Sequence, residues 1–264
     1  MNRKNIKIVA IIQARMGSSR LPGKVLINIA GKAMLAHVFE RISRSKLVNE
    51  IVVATTDDPA DNRIAQFCDE NRMMYFRGSQ FDVLDRYYQT AKTHQSDIIV
   101  RITADCPLID PQMIDDVIQS FLEQKVDFAA NRLPPPWKRS FPIGLDIEVC
   151  TFDALEKAWK ESNRTYEREH VMPYLYIQPE RFKTLLLQHE PDYGNKRWTV
   201  DTPQDLILVE NIIEHFNPNL DYSWEDVLSF VQQNPEIELI NQDVFTKSVE
   251  MIDERNSSKI GKLI

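Results

Sequence analysis

The feature that most limits the fold is a run of apolar residues that ends abruptly in polar ones. Residues 8–12, IVAII, are continuously apolar, and the loop QARMGSSRLPGK that follows carries three cations, two serines and two glycines. An uninterrupted run of this kind predicts a strand that is buried on both faces. A loop with so many charges and hydroxyl groups at the end of a buried strand is suited to surround an anion.

The same pattern recurs along the chain, because short apolar runs alternate with segments whose apolar residues repeat at helical spacing. Strands are predicted at IVAII, EIVVATT, MMYF, DIIVRIT, VDFAAN, LDIEVC and RFKTLLLQH. Helices are predicted at AMLAHVFERISRS, PADNRIAQFCDENR, FDVLDRYYQTAKTH, DPQMIDDVIQSFLEQ, FDALEKAWKES, YEREHVMPYL, TPQDLILVENIIEHF, WEDVLSFVQQ and QDVFTKSVEMIDE. The proline-rich RLPPPWKRSFPIG predicts a long loop. This alternation predicts an α/β fold whose parallel sheet is covered by helices and binds ligands at the carboxyl ends of its strands.

Composition excludes several classes of partner. The 264 residues carry a net charge of −7, which disfavours general binding to nucleic acid or to anionic membranes. The three cysteines lie far apart without a Cys-x-x-Cys pair, so neither a zinc site nor a disulfide framework is predicted. The sequence also lacks an apolar run of about 18 residues that would span a membrane. We therefore expect a cytoplasmic protein that binds neither membranes nor nucleic acid.

The opening loop is similar to a phosphate-binding P-loop but differs from it in spacing. Five residues separate Gly17 from Gly23 instead of four, and Lys24 is followed by Val25 instead of serine or threonine. The three-glycine dinucleotide fingerprint is absent as well. One alternative is a surface loop with scattered cations. The position after the first buried strand favours an anion site, and guanidinium groups bind phosphate oxygens in pairs.

Helix-capping patterns separate structural aspartates from candidate ligands. Asp110 precedes a proline at a predicted helix start, where an N-cap explains it. In TVDTPQDL, Thr202 is predicted as N-cap and Asp205 as its capping-box partner, which leaves Asp201 without a structural role. Asp105 follows the strand DIIVRIT; its alternative role is to cap a turn.

The order of motifs along the chain resembles a known family. QARMGSSRLPGK, VVATTDD, FRGSQFDVLDRYYQTA, VRITADCPLIDP, FPIGLDIEV, YEREHVMPYL and RWTVDTPQDL resemble the cytidylyltransferases that make CMP-activated sugar acids, the CMP-Kdo and acylneuraminate synthetases. The closest resemblance is to the SpsF-like branch of spore-coat polysaccharide synthesis. It implies a glycosyltransferase-A-like, doubly wound, mostly parallel sheet over residues 1–222 and a homodimer. Residues 223–264 lie outside the resemblance and are predicted from their own pattern as a helical C-terminal extension.

This resemblance assigns roles in nucleotide binding. It implies that CTP phosphates are held by a set of opening-loop residues: Arg15, Ser18, Arg20 and Lys24. It also implies that the backbone at Ala14 and Arg15 faces the base. The motif positions of Asp105 and Asp201 imply that these two carboxylates hold Mg²⁺, which prefers hard oxygen ligands. Together with Asp105, the three cations Arg15, Arg20 and Lys24 are the catalytic candidates, because fixed charge at the reacting phosphates lowers the barrier.

Further residues are candidates for the nucleotide pocket. Thr55 and Asp57 end a predicted strand, although the two aspartates of ATTDD are equally suited to introduce the next helix. Arg77 and Arg86 resemble positions that line the pocket. The alternative for Arg86 is a surface pair with Asp82, four residues earlier on the same helix.

The acceptor is expected in the second half of the chain. Asp146 and Glu148 alternate along a predicted strand and therefore share one face. Arg168 is a candidate clamp for an acceptor carboxylate, and His170 is a candidate to orient the acceptor or assist proton transfer. Solvated charges and an ordinary helix histidine are the alternatives for these residues.

These observations predict Mg²⁺-dependent transfer of CMP from CTP to a small, sugar-acid-like acceptor for surface polysaccharide or glycan synthesis. One alternative is a glycosyltransferase of the same fold, which the ADCPLID segment disfavours because it lacks an Asp-x-Asp motif. Another is a non-catalytic nucleotide-binding protein, which the retained loop cations and both candidate metal ligands disfavour.

Overall fold

The fold centres on a seven-stranded sheet. The computed structural model describes residues 6–133, 139–178, 180–219 and 221–245. The strands are β1 (Ile8–Gln13), β2 (Asn28–Ile29), β3 (Lys32–Ala33), β4 (Glu50–Thr56), β5 (Met74–Gly78), β6 (Ile98–Thr103), β7 (Phe128–Ala130), β8 (Glu148–Thr151) and β9 (Thr184–Leu186). The sheet has the order β5-β4-β1-β6-β8-β7-β9, and β2 and β3 form a separate hairpin. All seven predicted strands are confirmed, whereas the hairpin was not predicted.

The helices largely follow the predicted segments. They are α1 (Met34–Ile42), α2 (Asn62–Glu70), α3 (Val83–Thr93), α4 (Pro111–Gln124), α5 (Phe152–Glu161), α6 (Thr165–His170), α7 (Pro173–Tyr176), α8 (Pro203–Phe216), α9 (Trp224–Gln233) and α10 (Pro235–Leu239). Every helix of the described ranges is too short or too polar to cross a membrane.

Three helix predictions need correction. The segment YEREHVMPYL forms α6 and α7 instead of one helix, because Val171 adopts a φ of +71° between them and Pro173 begins the second. Helix α10 was not predicted. Residues 242–245 of the predicted helix QDVFTKSVEMIDE are not helical, and the rest of that segment lies outside the described residues.

The sheet is covered by helices on both faces. Along β1, Ile8, Ala10 and Ile12 pack into one core with α1, α2, α4, α8 and α9. Val9 and Ile11 point to the opposite face and pack with α3, α5 and α7. This alternation confirms the doubly wound architecture and explains why the β1 sequence is apolar throughout.

One strand of the sheet runs against the others. Strand β8 pairs antiparallel with both β6 and β7, while the remaining pairs of the sheet are parallel. Glu148 at the start of β8 lies opposite Arg101 near the end of β6. The amino end of β8 therefore lies at the same edge as the carboxyl ends of β1, β4 and β6, where a ligand is expected.

The C-terminal extension shares the core of the sheet domain. Trp224 and other apolar residues of this extension, together with Tyr222 just before it, pack into the core that contains α1 and α4. The buried Arg41 donates from Nε to Ile109 O (2.5 Å) and from Nη2 to Tyr222 O (3.1 Å), with its guanidinium over the Tyr222 ring. Domain limits at residue 222 stay a prediction, since packing is continuous across this position.

Asp110 joins the two parts, and its predicted capping role is confirmed. Its Oδ1 accepts from Met113 N (2.9 Å) at the start of α4, and its Oδ2 accepts from Trp224 N (2.8 Å) at the start of α9.

We expect Asp110→Ala to lower the free energy of unfolding by about 2–3 kcal/mol, because a cap is lost and a second buried N–H is left without its partner. Urea denaturation measures this change.

The matched control is Asp116→Ala on the exposed side of α4. That substitution should change the free energy of unfolding by less than about 0.5 kcal/mol. Equal effects of the two substitutions would contradict the bridging role of Asp110.

Candidate active site

The opening loop is held in place by backbone hydrogen bonds. Gly23 adopts a φ of +72°, which glycine accepts without strain, and its N–H donates to Met16 O (2.9 Å). Met16 N in turn donates to Oδ1 of the buried Asp61 (2.6 Å), which lies in the turn that follows β4. The chain then enters a 3₁₀ turn at Lys24–Leu26. This geometry directs the side chain of Lys24 into the protein.

Lys24 joins the two aspartates that the sequence predicts as metal ligands. Its Nζ donates to Asp105 Oδ2 (2.7 Å), Asp201 Oδ1 (2.8 Å) and the carbonyl oxygen of Val200 (2.8 Å). Burial alone would lower the pKa of Lys24, but the two facing carboxylates raise it above its ordinary value. The lysine is therefore held in its charged form.

Asp105 is fixed at the end of β6. Thr103 Oγ1 donates to Asp105 Oδ1 (2.5 Å), and the Asp105 carbonyl accepts from Val200 N (2.9 Å) and Thr199 Oγ1 (3.1 Å). These bonds tie the segment before α8 to the end of β6. They explain how Asp201 comes to lie beside Asp105.

Asp201 has more partners than the sequence predicts. Besides Lys24, its Oδ2 contacts Arg20 Nη2 (2.9 Å) and Arg197 Nη2 (2.8 Å). Burial opposes ionisation, yet these three cations lower the pKa of Asp201 to about 2. The expectation that Asp201 has no structural role was wrong, because it pairs with Lys24 and Arg20 from the distant opening loop and with Arg197 four residues earlier.

Asp205 is the predicted capping-box partner, and this prediction is confirmed. Thr202 Oγ1 accepts from Asp205 N (3.3 Å), and Asp205 Oδ2 accepts from Thr202 N (3.0 Å). Asp205 is also completely buried and accepts from Arg197 Nε (2.9 Å) and Asn241 Nδ2 (2.8 Å). Sequence reasoning missed both partners. Arg197 lies inside the motif RWTVDTPQDL, whereas no sequence signal marks Asn241.

The other opening-loop residues divide between two places. Arg20 lies beside Asp201, as described, and also donates from Nη1 to Phe245 O (3.2 Å). Ser18 Oγ accepts from Leu21 N (3.4 Å) and shapes the loop. Ala14 is buried, and Arg15 lies close enough to Arg86 to affect its pKa. The structure brings Arg20 and Lys24 together with the two aspartates and directs Arg15 toward Arg86.

Arg86 is buried and is not part of a surface pair. Its Nη1 donates to Ser79 O (2.7 Å), while Nε and Nη2 have no hydrogen-bond partner in the described part of the chain. Burial lowers its pKa to about 10. Asp82 does not pair with it, because the Asp82 carboxylate binds Arg168. The surface-pair alternative is therefore wrong, and the pocket role of Arg86 stays a prediction.

The remaining nucleotide-pocket candidates lie around the end of β4. Arg77 donates to the carbonyl oxygens of Thr56 (2.9 Å) and Asp58 (3.1 Å). The hydroxyl of Thr55 is buried without a hydrogen-bond partner among the described residues. Asp57 is exposed. Asp58 caps the 3₁₀ turn at Pro59–Asp61, which confirms the helix-introducing alternative for this second aspartate of ATTDD.

The acceptor-side carboxylates are paired with arginines. Asp146 contacts Arg139 through two bonds (2.5 and 2.9 Å) and lies 3.4 Å from Arg132 Nε. Burial opposes ionisation of Asp146, but these two guanidinium groups lower its pKa below the ordinary value. Glu148 is buried and binds Arg101. Sequence reasoning found both carboxylates and missed their three arginine partners.

The other two acceptor candidates differ in their surroundings. Arg168 binds both carboxylate oxygens of Asp82 and donates to Trp159 O (2.7 Å), so it ties α6 to α3 and α5. His170 faces the arginine cluster, and its Nε2 is buried without a hydrogen-bond partner in the described ranges. Burial lowers the pKa of His170, and nearby Arg101 and Arg132 lower it further.

Asp105 and Asp201 form a donor set that suits a hard divalent cation. Their carboxylate oxygens lie within 2.8 Å of one nitrogen atom, that of Lys24. They can therefore converge on a single positive charge, and phosphate and water oxygens would complete the shell of a magnesium ion. The described residues contain no group of three or more His, Cys, Asp or Glu side chains that could hold a metal ion.

The sequence matches the protein-family model described as cytidylyltransferase over residues 9–223. The chain belongs to the cytidylyltransferase family. The match contains the opening loop, Asp105 and Asp201, and it ends just before α9. A cytidylyltransferase uses CTP to transfer a nucleotidyl group.

Full-length relatives support this assignment. The protein MJ1063 of Methanocaldococcus jannaschii is 40% identical over 253 residues, which cover 94% of this chain and 100% of that protein. The spore coat polysaccharide biosynthesis protein SpsF of Bacillus subtilis is 30% identical over 247 residues, 87% of this chain and 95% of its own. A solved cytidylyltransferase structure from Leptospira borgpetersenii serovar Hardjo-bovis matches with a TM-score of 0.84 at 36% identity, over 91% of this chain and 100% of that one.

A further relative matches over a shorter stretch. The 3-deoxy-manno-octulosonate cytidylyltransferase of Geobacter sulfurreducens is 42% identical over 118 residues, which cover 45% of this chain and 46% of that enzyme. These comparisons confirm the family that the sequence motifs resemble. The chain is therefore a CTP-dependent nucleotidyltransferase, and the glycosyltransferase and non-catalytic alternatives are not supported.

The low pKa of Asp201 predicts a pH dependence of cytidylyltransferase stability. Its folded pKa of about 2 lies below the ordinary value of 3.8, so the ionised form stabilises the fold above pH 4 and this contribution is lost as pH falls through 2. Asp201→Asn should lower the free energy of unfolding at pH 7 by on the order of 2 kcal/mol. It should also flatten the decrease in stability between pH 4 and pH 2. Urea denaturation at a series of pH values measures both effects.

Asp221→Asn is the control, because the side chain of Asp221 is 81% exposed beside Arg44. Its stability curve should follow that of the wild type. An Asp201→Asn curve parallel to the wild type at all pH values would show that the three cations do not stabilise this carboxylate.

Proposed function

We propose that this cytidylyltransferase transfers CMP from CTP to a sugar-acid-like acceptor in a Mg²⁺-dependent reaction that serves surface polysaccharide or glycan biosynthesis. The observation that carries the proposal is the convergence of Lys24, Arg20, Asp105 and Asp201 at the carboxyl edge of the sheet. It combines cations suited to phosphate with two carboxylates suited to a divalent metal. The name of the relative SpsF supports the polysaccharide context.

The chemistry is an in-line displacement at phosphorus. An acceptor oxygen attacks the α-phosphorus of CTP, the bond from that phosphorus to the oxygen bridging to the β-phosphoryl group breaks, and pyrophosphate leaves. Negative charge grows on the α-phosphoryl oxygens and on the leaving group. Arg15, Arg20 and Lys24 stabilise this charge, while Ser18 and the backbone at Ala14 orient the nucleotide.

Mg²⁺ would be held by Asp105 and Asp201. When bound, it neutralises and orients triphosphate oxygens. The protein contributes two carboxylates that are held close together by Lys24, whose ammonium group would have to release part of this contact for a metal to bind between them. The neighbouring Cys106 takes no part as a nucleophile, because burial raises the pKa of its thiol well above the ordinary value.

An anionic acceptor suits the cluster of arginines around Asp146 and Glu148. Three arginines bind Asp146 and Glu148 there, and His170 lies beside Arg101 and Arg132. The Nε atom of Arg101 is buried there without a hydrogen-bond partner among the described residues, and Arg132 Nε has only an ion-pair contact with Asp146 (3.4 Å). An acceptor carboxylate would supply the missing acceptors. The name of the Geobacter sulfurreducens relative supports a sugar acid as acceptor.

His170 is the candidate that orients the acceptor or receives its proton. Burial lowers its pKa, so its imidazole is neutral at neutral pH and able to accept a proton. Asp146 and Glu148 keep the surrounding arginines in place. A cytoplasmic location and a homodimer stay predictions from the sequence, as do the absence of nucleic-acid and membrane binding.

Nucleotide choice and metal dependence test the proposal directly. We expect pyrophosphate release with CTP and Mg²⁺ across a panel of sugar acids to exceed that with ATP, GTP or UTP, and to stop when EDTA is added. Asp105→Asn should lower kcat by about 10²-fold, which corresponds to roughly 3 kcal/mol of transition-state stabilisation. Mn²⁺ should partly restore the rate.

Asp116→Asn on the exposed side of α4 is the control and should keep the wild-type rate. Equal rates with UTP would refute the CTP preference. An undiminished rate in EDTA would refute the metal requirement while leaving nucleotidyl transfer intact.

A pair of arginine variants tests the acceptor assignment. Arg132→Met removes one guanidinium group from the proposed acceptor side, so we expect the KM for the best sugar acid of the panel to rise about tenfold while the KM for CTP stays constant. Arg168→Met should lower the melting temperature and leave the acceptor KM unchanged, because Arg168 binds Asp82 and Trp159. Steady-state kinetics and thermal melting measure these effects. The reverse pattern would assign the acceptor carboxylate to Arg168.

A further inference from the structure

The segment after α10 lies outside the cytidylyltransferase match, which ends at residue 223, yet it reaches the candidate active site. Asn241 is 5% exposed, and its Nδ2 donates to Asp205 Oδ1 (2.8 Å) and to the carbonyl oxygen of Arg197 (3.0 Å). Both N–H groups of the amide are therefore engaged by residues that surround Asp201. The side chain at this position donates two hydrogen bonds, which the NH₂ group of an asparagine amide is able to do.

The two partners of Asn241 hold Asp201 in two ways. Asp205 Oδ2 accepts from the backbone N–H of Asp201 (3.0 Å). Arg197 bridges the two carboxylates, since it donates from Nε to Asp205 Oδ1 (2.9 Å) and from Nη2 to Asp201 Oδ2 (2.8 Å). A displacement of Asp205 or Arg197 would therefore move both the backbone and the carboxylate of Asp201.

Two further contacts bring the same segment to the site. Phe245 O accepts from Arg20 Nη1 (3.2 Å), and Arg20 is itself a partner of Asp201. A cavity of about 480 Å³ lies between these parts of the chain and is lined by Arg20, Thr202, Gln204, Ile240, Asp243, Val244 and Phe245. By contrast, Glu238 binds Lys196 (2.5 Å) and makes no contact of this kind with Asp201 or its partners in the described structure.

We infer that Asn241 is a positioning residue for cytidylyl transfer, because its amide orients the Asp205–Arg197 pair that holds Asp201 against Lys24. The inference rests on the proposed role of Asp201 in the reaction. It gives the C-terminal extension a part in the chemistry, although the extension lies outside the region that defines the family.

The test compares Asn241→Asp with Asn241→Ala. Aspartate keeps the size of asparagine but places a carboxylate against Asp205 Oδ1 and a backbone carbonyl, so it reverses the hydrogen bonds without creating a cavity. We expect Asn241→Asp to lower kcat for pyrophosphate release with CTP about tenfold, with a smaller loss for Asn241→Ala. We also expect it to weaken Mn²⁺ binding, measured by calorimetry without nucleotide, about fivefold. Both assays are run well below the melting temperature of each variant.

Glu238→Gln is the matched control, because it breaks another contact of the C-terminal segment. It should lower the melting temperature while kcat and Mn²⁺ affinity stay at the wild-type values. Wild-type kcat and Mn²⁺ affinity in both Asn241 variants would overturn the inference, and so would equal losses in Glu238→Gln. If Asn241→Asp does not fold, Asn241→Ala decides on the same two measurements. If the wild type binds no Mn²⁺ without nucleotide, the metal proposal is decided by the EDTA experiment, because phosphate oxygens complete the proposed shell, and kcat alone tests Asn241.

Discussion

The site depends on a single ammonium group shared by two carboxylates. Asp105 and Asp201 come from segments distant in sequence, and two negative charges this close together would repel each other strongly in a partly buried environment. Lys24 lies between them and donates to both, so the attraction of each carboxylate to the ammonium group offsets their mutual repulsion. Its own burial is tolerable for the same reason, because a buried lysine without such partners would lose its charge. The ion pairs of Lys24 consequently hold together the opening loop, the end of β6 and the start of α8.

Sequence reasoning succeeded where the determinants are local. The seven strands of the sheet follow from apolar runs, and the caps at Asp110, Thr202 and Asp205 follow from rules that involve three or four neighbouring residues. It failed where the determinants are distant or small. The two-residue strands β2 and β3 are too short to show a periodicity. The positive φ of Val171, which separates α6 from α7, could not be predicted because β-branched residues rarely adopt such a conformation.

The site itself was predictable in its residue types and unpredictable in its connections. Family motifs indicated Lys24, Asp105 and Asp201, and the structure brings them together. They did not indicate that Asp82 would take the guanidinium of Arg168 or that Arg101 would bind Glu148. Those pairings join residues on different elements, and an antiparallel strand such as β8 cannot be distinguished from a parallel one by its short apolar pattern. The role of Asn241 could not be predicted from the sequence for the same reason, because it depends on contacts with residues that are distant in sequence.

The reversed direction of β8 has a consequence for how such enzymes diversify. The chain enters β8 from the ligand edge, so Arg139 and Asp146, which precede Glu148 in the connection from β7, lie near the side where the acceptor is proposed to bind. The nucleotide is proposed to bind at other strands, β1, β4 and β6, which this connection does not interrupt. Insertions or substitutions in the connection can therefore change the shape and charge that meet the acceptor while the parallel half of the sheet keeps its register. This connection is therefore one stretch of chain in which acceptor specificity can change without disturbing the parallel strands.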